Sequence, residues 1–274
     1  MKKRLIGTHI RLEKNFMEGL EKAVRLDIPL YQSFLIDESG NYFDFSESDI
    51  ENYIQAAEAK GIHAIIHSSY WISITNIRNR GFHSLKRETE LVQKLKRHAI
   101  VVHPGSTKKM SKDPFVAIKE VARAINVFQN QFPNIQILIE NSAHGGFSFG
   151  GSLQDFRLLL EYIADKEKIG FCIDTSHAHA FGYDIVEEFD EFMQELDQTI
   201  GFSRIKLLHL NDTIEKKGSK IDRHGIIGEG LIGLECLKKI VQFEPLKHAD
   251  IILELPKISE EKEQEILKMI NQWT

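Results

Sequence analysis

The stretch IGFCIDTSH, residues 169–177, decides how the rest of the chain is read. From Ile169 to Ile173 no polar residue interrupts it, which suits a strand covered on both faces. The run then stops on Asp174 and His177, two side chains able to bind protons or metals. A hidden strand with a chemically active end belongs to a parallel sheet whose working face lies at the strand C-termini. To either side, LQDFRLLLEYIA (153–164) and FDEFMQELDQTI (189–200) place apolar residues at spacings of three and four, the helical signature. Further out, IQILIENS (135–142) and IKLLHLND (205–212) repeat the apolar run with a polar end.

The alternation continues in both directions. RLIGTHIRL (4–12), PLYQSFLI (29–36), HAIIHSSY (63–70), AIVVHPGS (99–106) and ADIILELP (249–256) complete a set of eight strand candidates. FMEGLEKAVRL, DIENYIQAAEAKG, FVAIKEVARAINVFQ and EEKEQEILKMIN supply further helices between or after them. Ser48 with Glu51 reads as a capping box, and Asp113 before Pro114 as an N-cap ahead of a first-turn proline. Eight βα units suit either an open doubly wound sheet or a closed barrel. Polar residues at the ends of many different strands favour the barrel, whose active sites are built that way. The expectation is an α/β protein with one (β/α)8 TIM barrel spanning residues 1–274.

Composition agrees with a single large domain. No linker, low-complexity tract or fixed-period repeat divides the chain, and 42% hydrophobic residues can fill a substantial core. No apolar stretch is long enough to span a membrane. The segment MKKRLIGTHIRLEK lacks the apolar centre of a secretory signal, so the expected location is cytoplasmic. Cys172 and Cys236 lie in apolar surroundings far apart in sequence and read as reduced core thiols. A net charge of -5 argues mildly against a general polyanion binder.

Reading the strand ends in order gives His67, His103, Glu140, Asp174 with His177, His209 and Glu254, with Asp222 and His224 in the loop after the seventh strand. Singly, each has an ordinary structural reading. A strand-end histidine such as His9 or His67 can be a hydrogen-bonded rim residue, Glu140 or Glu254 can pair with a lysine, and an Asp-x-x-His spacing arises easily by chance. Together the balance reverses. Four carboxylates and five histidines at one barrel mouth are costly to bury unless metal ions compensate them. Imidazole and carboxylate are zinc's ligands in catalytic sites, and nine groups exceed the capacity of one ion.

The segments HPGS (103–106), IEN (139–141), CIDTSHAHAFGYD (172–184), HLND (209–212), DRH (222–224) followed by GEG (228–230), and LE (253–254) resemble the motifs of the endonuclease IV family, in the family's order. That family consists of xylose-isomerase-like barrels. The resemblance implies a zinc-dependent nuclease that cuts double-stranded DNA at abasic sites as a monomer. It implies a first zinc on His67, His103 and Glu140; a second on Glu140, Asp174, His209 and Glu254; and a third on His177, Asp222 and His224. Manganese or iron can occupy such donor sets too. Because metals lower the pKa of bound water, no side-chain nucleophile is needed. Ser106 and Ser176 therefore receive no catalytic role, and Glu140, as the shared ligand, is the residue assigned to catalysis.

Basic residues gather in loops that share the barrel mouth: Arg78 and Arg80; Lys108, Lys109 and Lys112; Lys216, Lys217, Lys220 and Arg223; and Lys257. Arg223, Lys108 and Lys109 are candidate DNA contacts, with few acids expected to neutralise them. The resemblance also makes Tyr70 and Trp71 the side chains that enter the base stack, an aromatic wedge. Several segments depart from the family pattern. GTHIRLEKN (7–15) lacks the glycine-rich continuation, LIDESGNYFDFSESD (35–49) is acidic where a basic DNA-reading stretch is usual, Ser73 replaces an asparagine, and ENSAHGGFSFGG (140–151) is longer. Two other readings remain on the sequence: a sugar isomerase or epimerase of the related barrels, which needs fewer metals, and a non-catalytic nucleic-acid-binding barrel, which should have lost ligands.

Overall fold

Each apolar run becomes a strand, shorter than its sequence pattern, and the eight principal strands close on themselves. The computed structural model describes residues 3–37, 39–106, 114–145 and 148–274. Along the chain come β1 (Ile6–His9), α1 (Met17–Leu26), β2 (Leu30–Ser33), α2 (Glu47–Lys60), β3 (His63–His67), α3 (Arg80–Lys94), β4 (Ala99–Val102), α4 (Pro114–Gln131), β5 (Gln136–Glu140) and α5 (Leu153–Tyr162). Then follow β6 (Ile169–Asp174), α6 (Thr175–Phe181), α7 (Phe189–Thr199), β7 (Ile205–His209), β8 (Asp212–Thr213), β9 (His224–Gly225), α8 (Gly233–Gln242), β10 (Asp250–Leu253) and α9 (Glu260–Asn271). The barrel order is β1-β10-β7-β6-β5-β4-β3-β2, and β8 with β9 forms a separate two-stranded ribbon. Every barrel pairing is parallel, including the seam between β1 and β10.

Two apolar regions hold this arrangement. The larger lies between barrel and helices and includes Phe128, Phe156, Phe171, Leu237 and Ile251. The smaller, made of Leu30, Val101, Leu138, Cys172, Leu207 and Ile252, fills the barrel interior. Strand side chains alternate between faces, so the residue two positions further along points inward as well. Those residues are Gln32, His103, Glu140, Asp174, His209 and Glu254. One polar layer thus sits directly above one apolar layer. Gly7 lets β1 approach β2 at this level, since a Cβ there would lie 1.9 Å from the Leu30 carbonyl oxygen.

Some local expectations change. The capping box of α2 uses Ser46 and Asp49, not Ser48 and Glu51: Ser46 Oγ accepts the Asp49 N–H at 3.1 Å, and the Asp49 carboxylate accepts the Ser46 N–H at 3.1 Å. The earlier start places Phe45 just before the cap and Ile50 four residues after it, and both join the outer core, the apolar pair of a hydrophobic staple. A cap at Ser48 would have put Glu47 in the staple position. The strand candidate 169–177 also ends early, at Asp174, where α6 begins. Asp113 lies outside the described residues, although α4 does begin at Pro114. Helices α3, α6 and α8 add to those named from sequence. Cys172 and Cys236 are free and buried, and among the described residues no helix is long and apolar enough to cross a membrane.

Candidate metal centre

The Asp-x-x-His spacing at 174–177 is explained by the start of a helix. Asp174 is the N-cap of α6, and its Oδ1 accepts the His177 N–H at 2.8 Å. Asp174 Oδ2 is left facing the barrel mouth, with the His177 ring beside it. A short ribbon supplies the next donors. The carboxylate of Asp212 accepts N–H groups from Thr213, Gly228, Gly230, Ile232 and Gly233 at 2.9–3.4 Å. This folds the long β7–α8 connection back, so that β9 delivers His224 to within 3.5 Å of Asp174 Oδ2. In the GEG segment the glycines serve this turn: a Cβ on Gly230 would lie 2.3 Å from Asp212 Oδ1.

Three groupings bring donor atoms within 4.8 Å of one another: His67, His103 and Glu140; Glu140, Asp174, His209 and Glu254; and Asp174, His177 and His224. Glu140, wholly buried, belongs to two of them. Its Oε2 lies 2.9 Å from His67 Nε2 and 3.3 Å from His103 Nε2, and its Oε1 lies 3.0 Å from His209 Nδ1. In the third grouping Asp174 takes the place that the family resemblance gives to Asp222. Asp222 stands at the open side, 3.1 Å from His177 Nε2 and 3.3 Å from His224 Nε2.

Hydrogen positions follow from the outer partners of these rings. His67 Nδ1 lies 2.8 Å from the Ser68 carbonyl, His177 Nδ1 2.9 Å from that of Asn141, and His224 Nδ1 3.0 Å from that of Glu254. A carbonyl can only accept, so each Nδ1 carries a hydrogen and each Nε2 is the nitrogen left to face the centre. His209 is held the other way round. Its Nε2 donates to Gln32 Oε1 at 2.9 Å, and the Gln32 amide is oriented by its own bond to Glu254 Oε1 at 2.8 Å. The inner nitrogens therefore face carboxylate oxygens, an arrangement that calls for positive charge between them, whether a ring proton or a metal ion. His177 Nε2 shows this directly: it is buried with no hydrogen-bond partner among the described residues, although Asp222 is 3.1 Å away. The donor set fits a divalent ion.

Electrostatics point the same way. Burial opposes charging of His177 and His209, yet Asp174 and Asp222 around the first, and Cys172, Glu254 and Glu140 around the second, outweigh it and hold both well above the ordinary imidazole range. Burial likewise works against Glu140 and Glu254, but neighbouring histidines pull both well below the usual carboxylate range. Asp222 is drawn down to about 2, against its burial, by His177 and His224. His67 and His103 both approach one oxygen of Glu140: burial opposes charging of His67 but Glu140 raises it overall, and burial pushes His103 down to about 4. Asp174 is raised by burial.

Several residues around the cluster went unassigned from sequence. Asn211 Nδ2 donates to Asp174 Oδ2 at 2.6 Å and to Glu254 Oε2 at 3.2 Å. Asn141 clasps the Asp174 backbone from both sides. Gln32 and His9, whose Nδ1 is 3.4 Å from Glu254 Oε1, complete the layer. Asn141 and Asn211 each stand one or two places beyond a candidate ligand, and that adjacency was the available signal. Ser176 Oγ has no hydrogen-bond partner among the described residues, so no base is placed to take its proton.

Tyr70 and Trp71 emerge on the rim, 69% and 38% exposed, with ring centroids 5.0 Å apart. Trp71 is braced by the acidic β2–α2 loop, edge-on to Tyr42 at 6.2 Å. With Ser73, Asn76 and Arg78 the pair lines a groove of about 650 Å3. The basic set is less free than expected. Arg223 pairs with Glu215 at 3.1 Å, Lys217 with Asp184, and Lys220 lies over the Phe181 ring at 3.4 Å. Long side chains on these loops reach nearby acids and aromatics while staying exposed, as Arg78, Arg80, Lys216 and Lys257 also are. Lys108, Lys109 and Lys112 lie outside the described residues.

A family model described as a xylose isomerase-like TIM barrel matches residues 21–273. Over 203 residues, 72% of this chain and 68% of the relative, the sequence is 36% identical to a probable endonuclease 4 of Bacillus subtilis (strain 168). The crystal structure of endonuclease IV from Thermus thermophilus superposes with a TM-score of 0.83 at 28% identity, covering 98% of each chain. A D-tagatose 3-epimerase-like protein superposes with a TM-score of 0.73 at 18% identity, covering 98% of this chain and 97% of that one, a likeness of fold alone. With its barrel closed and the motif residues gathered at one mouth, this chain belongs to the endonuclease IV family of xylose isomerase-like barrels.

Proposed function

We propose that the chain is a metal-dependent AP endonuclease, hydrolysing the backbone of double-stranded DNA 5′ to abasic sites in base excision repair, and that it acts as a cytoplasmic monomer. The observation that carries this reading is Glu140, a buried carboxylate common to two donor groupings and approached by ring nitrogens of His67, His103 and His209. In this reading His67, His103 and Glu140 would hold one zinc, Glu140, Asp174, His209 and Glu254 a second, and His177, Asp222 and His224 a third, with Asp174 close by. Ions bound there supply Lewis acidity, neutralising phosphate charge and making hydroxide available near neutral pH.

The chain's own residues do the rest. Glu140 would be shared by two ions, the outer carbonyls and Gln32 aim the imidazoles, and Asn211 orients Asp174 and Glu254. Tyr70 and Trp71 project toward the duplex as the wedge, with Arg223 and the loop lysines, including Lys108 and Lys109, as candidate backbone contacts. Abasic DNA suits such a wedge because the stack is already weakened where a base is missing.

The test compares zinc-loaded protein on a duplex carrying one abasic analogue, on the intact duplex and on a small phosphodiester, with and without chelator. Cleavage centred on the lesion and lost on chelation is the expected result. Equal cutting of intact duplex would overturn the specificity. Inertness toward all three substrates would overturn the hydrolase reading.

A further inference from the structure

We propose that Glu88 is a positioning residue for His67, acting through the peptide group between Ser68 and Ser69 and tying the metal centre to the aromatic rim. This rests on the reading of His67 as a metal ligand. Glu88 lies on α3, away from all three donor groupings, yet it is a fully buried carboxylate. Among the described residues no lysine, arginine or histidine forms an ion pair with it; burial raises its carboxyl above the ordinary range, and hydrogen bonds and the nearby His67 oppose that rise. Oε2 accepts the Ser69 N–H at 3.0 Å, and Oε1 accepts the Ser69 hydroxyl and the Tyr42 hydroxyl, the latter at 2.9 Å.

The other end of the same peptide faces the metal centre. Its carbonyl, that of Ser68, accepts the His67 Nδ1–H at 2.8 Å. Carboxylate, peptide and imidazole thus form a chain that ends on His67 Nε2, the nitrogen turned to Glu140. A carboxylate held against the amide end polarises the peptide and makes its carbonyl the stronger acceptor. The ring is then fixed in one tautomer with its basicity raised, as when a carboxylate bonds a ligating histidine directly. The same carboxylate grips the rim: Ser69 precedes Tyr70, and Tyr42 packs its ring against Trp71. Arg87 lies over the Tyr42 ring, 4.3 Å from its centre.

The test is Glu88→Gln, which keeps the side chain's shape and removes its charge, in the full-length protein. Zinc content is measured by elemental analysis against a graded chelator, and the His67 ring by long-range proton–nitrogen NMR of metal-free protein. The expected outcome is loss of one zinc at a chelator concentration on the order of tenfold lower than for wild type, the others holding, with a shifted His67 nitrogen signal. Equal retention of every zinc together with an unchanged His67 signal would overturn the role of Glu88, as would parallel loss of all the zinc. Should Glu88→Gln fail to fold, Ser69→Ala decides: it removes the hydroxyl but keeps the N–H, so the His67 signal should stay, and its loss would overturn the relay. Wild-type protein that takes up no zinc would instead defeat the metal reading on which the proposal rests.

Discussion

Glu140 meets His67 and His103 on one oxygen and His209 on the other, at 2.9–3.3 Å. Glutamine at this position keeps the shape but turns an N–H toward bare imidazole nitrogens. Breaking one buried charge partnership is worth about 3–5 kcal/mol, so Glu140→Gln is expected to lower turnover by more than ~100-fold with the fold intact by circular dichroism. Near-normal cleavage with normal metal content would remove Glu140 from the mechanism. Protons and metals also compete here. Because His177 and His209 are held well above the ordinary imidazole value of 6.5, their protons compete with a metal at a higher pH than those of free imidazole. Metal affinity should therefore begin to weaken while the solution is still above that value, and fall further as pH drops through the raised pKa values. A zinc titration giving the same affinity from weakly alkaline solution down to about pH 6 would contradict this sign.

At the scale of elements, the β7–α8 connection depends on one side chain. Asp212→Ala would strand five N–H groups, and since each lost partner of a buried donor is worth about 1–3 kcal/mol and part is regained from water, a net loss of roughly 2–4 kcal/mol is expected in urea unfolding. His224 should lose its place, and elemental analysis should find the third ion missing while the others stay. Unchanged stability would show that the ribbon holds itself. On the opposite rim, replacing Tyr70 and Trp71 with Ala should weaken cleavage of abasic duplex about tenfold or more relative to a small phosphodiester, because aromatic contacts with bases are worth about 1–3 kcal/mol each. Equal loss on both substrates would mean that they only support His67. Much of this was legible beforehand. The barrel strands lie within the apolar runs, and the candidate ligands recur two places beyond Val101, Leu138, Cys172, Leu207 and Ile252, a period that a strand imposes. What sequence hid was set by competition between neighbours: two overlapping capping boxes in FSESDIE, decided by Phe45, and the passage at Asp174 from strand to helix, where one carboxylate both caps and faces the cluster. Arg223 read as a free cation because nothing local revealed Glu215 as its partner.

For the molecule as a whole, the upper layer of the barrel concentrates buried carboxylates that the fold neutralises poorly alone. Stripping the ions with chelator should lower the thermal midpoint on the order of 10 °C, since one site saturated at a thousand times its dissociation constant contributes about 4 kcal/mol. A midpoint unmoved by chelation, measured by calorimetry with residual zinc checked, would mean the histidine protons suffice. The barrel closes where its first strand meets its last, and the polar layer crosses that seam: Gln32 on β2 holds Glu254, 222 positions later and just beyond β10. During synthesis, the donor set around Glu140 and His209 stays incomplete until Glu254 emerges from the ribosome. Completion of that donor set is therefore a late event in the life of the nascent chain, and a polypeptide truncated before Glu254 would carry every strand of the barrel but lack one donor of the Glu140–Asp174–His209 grouping.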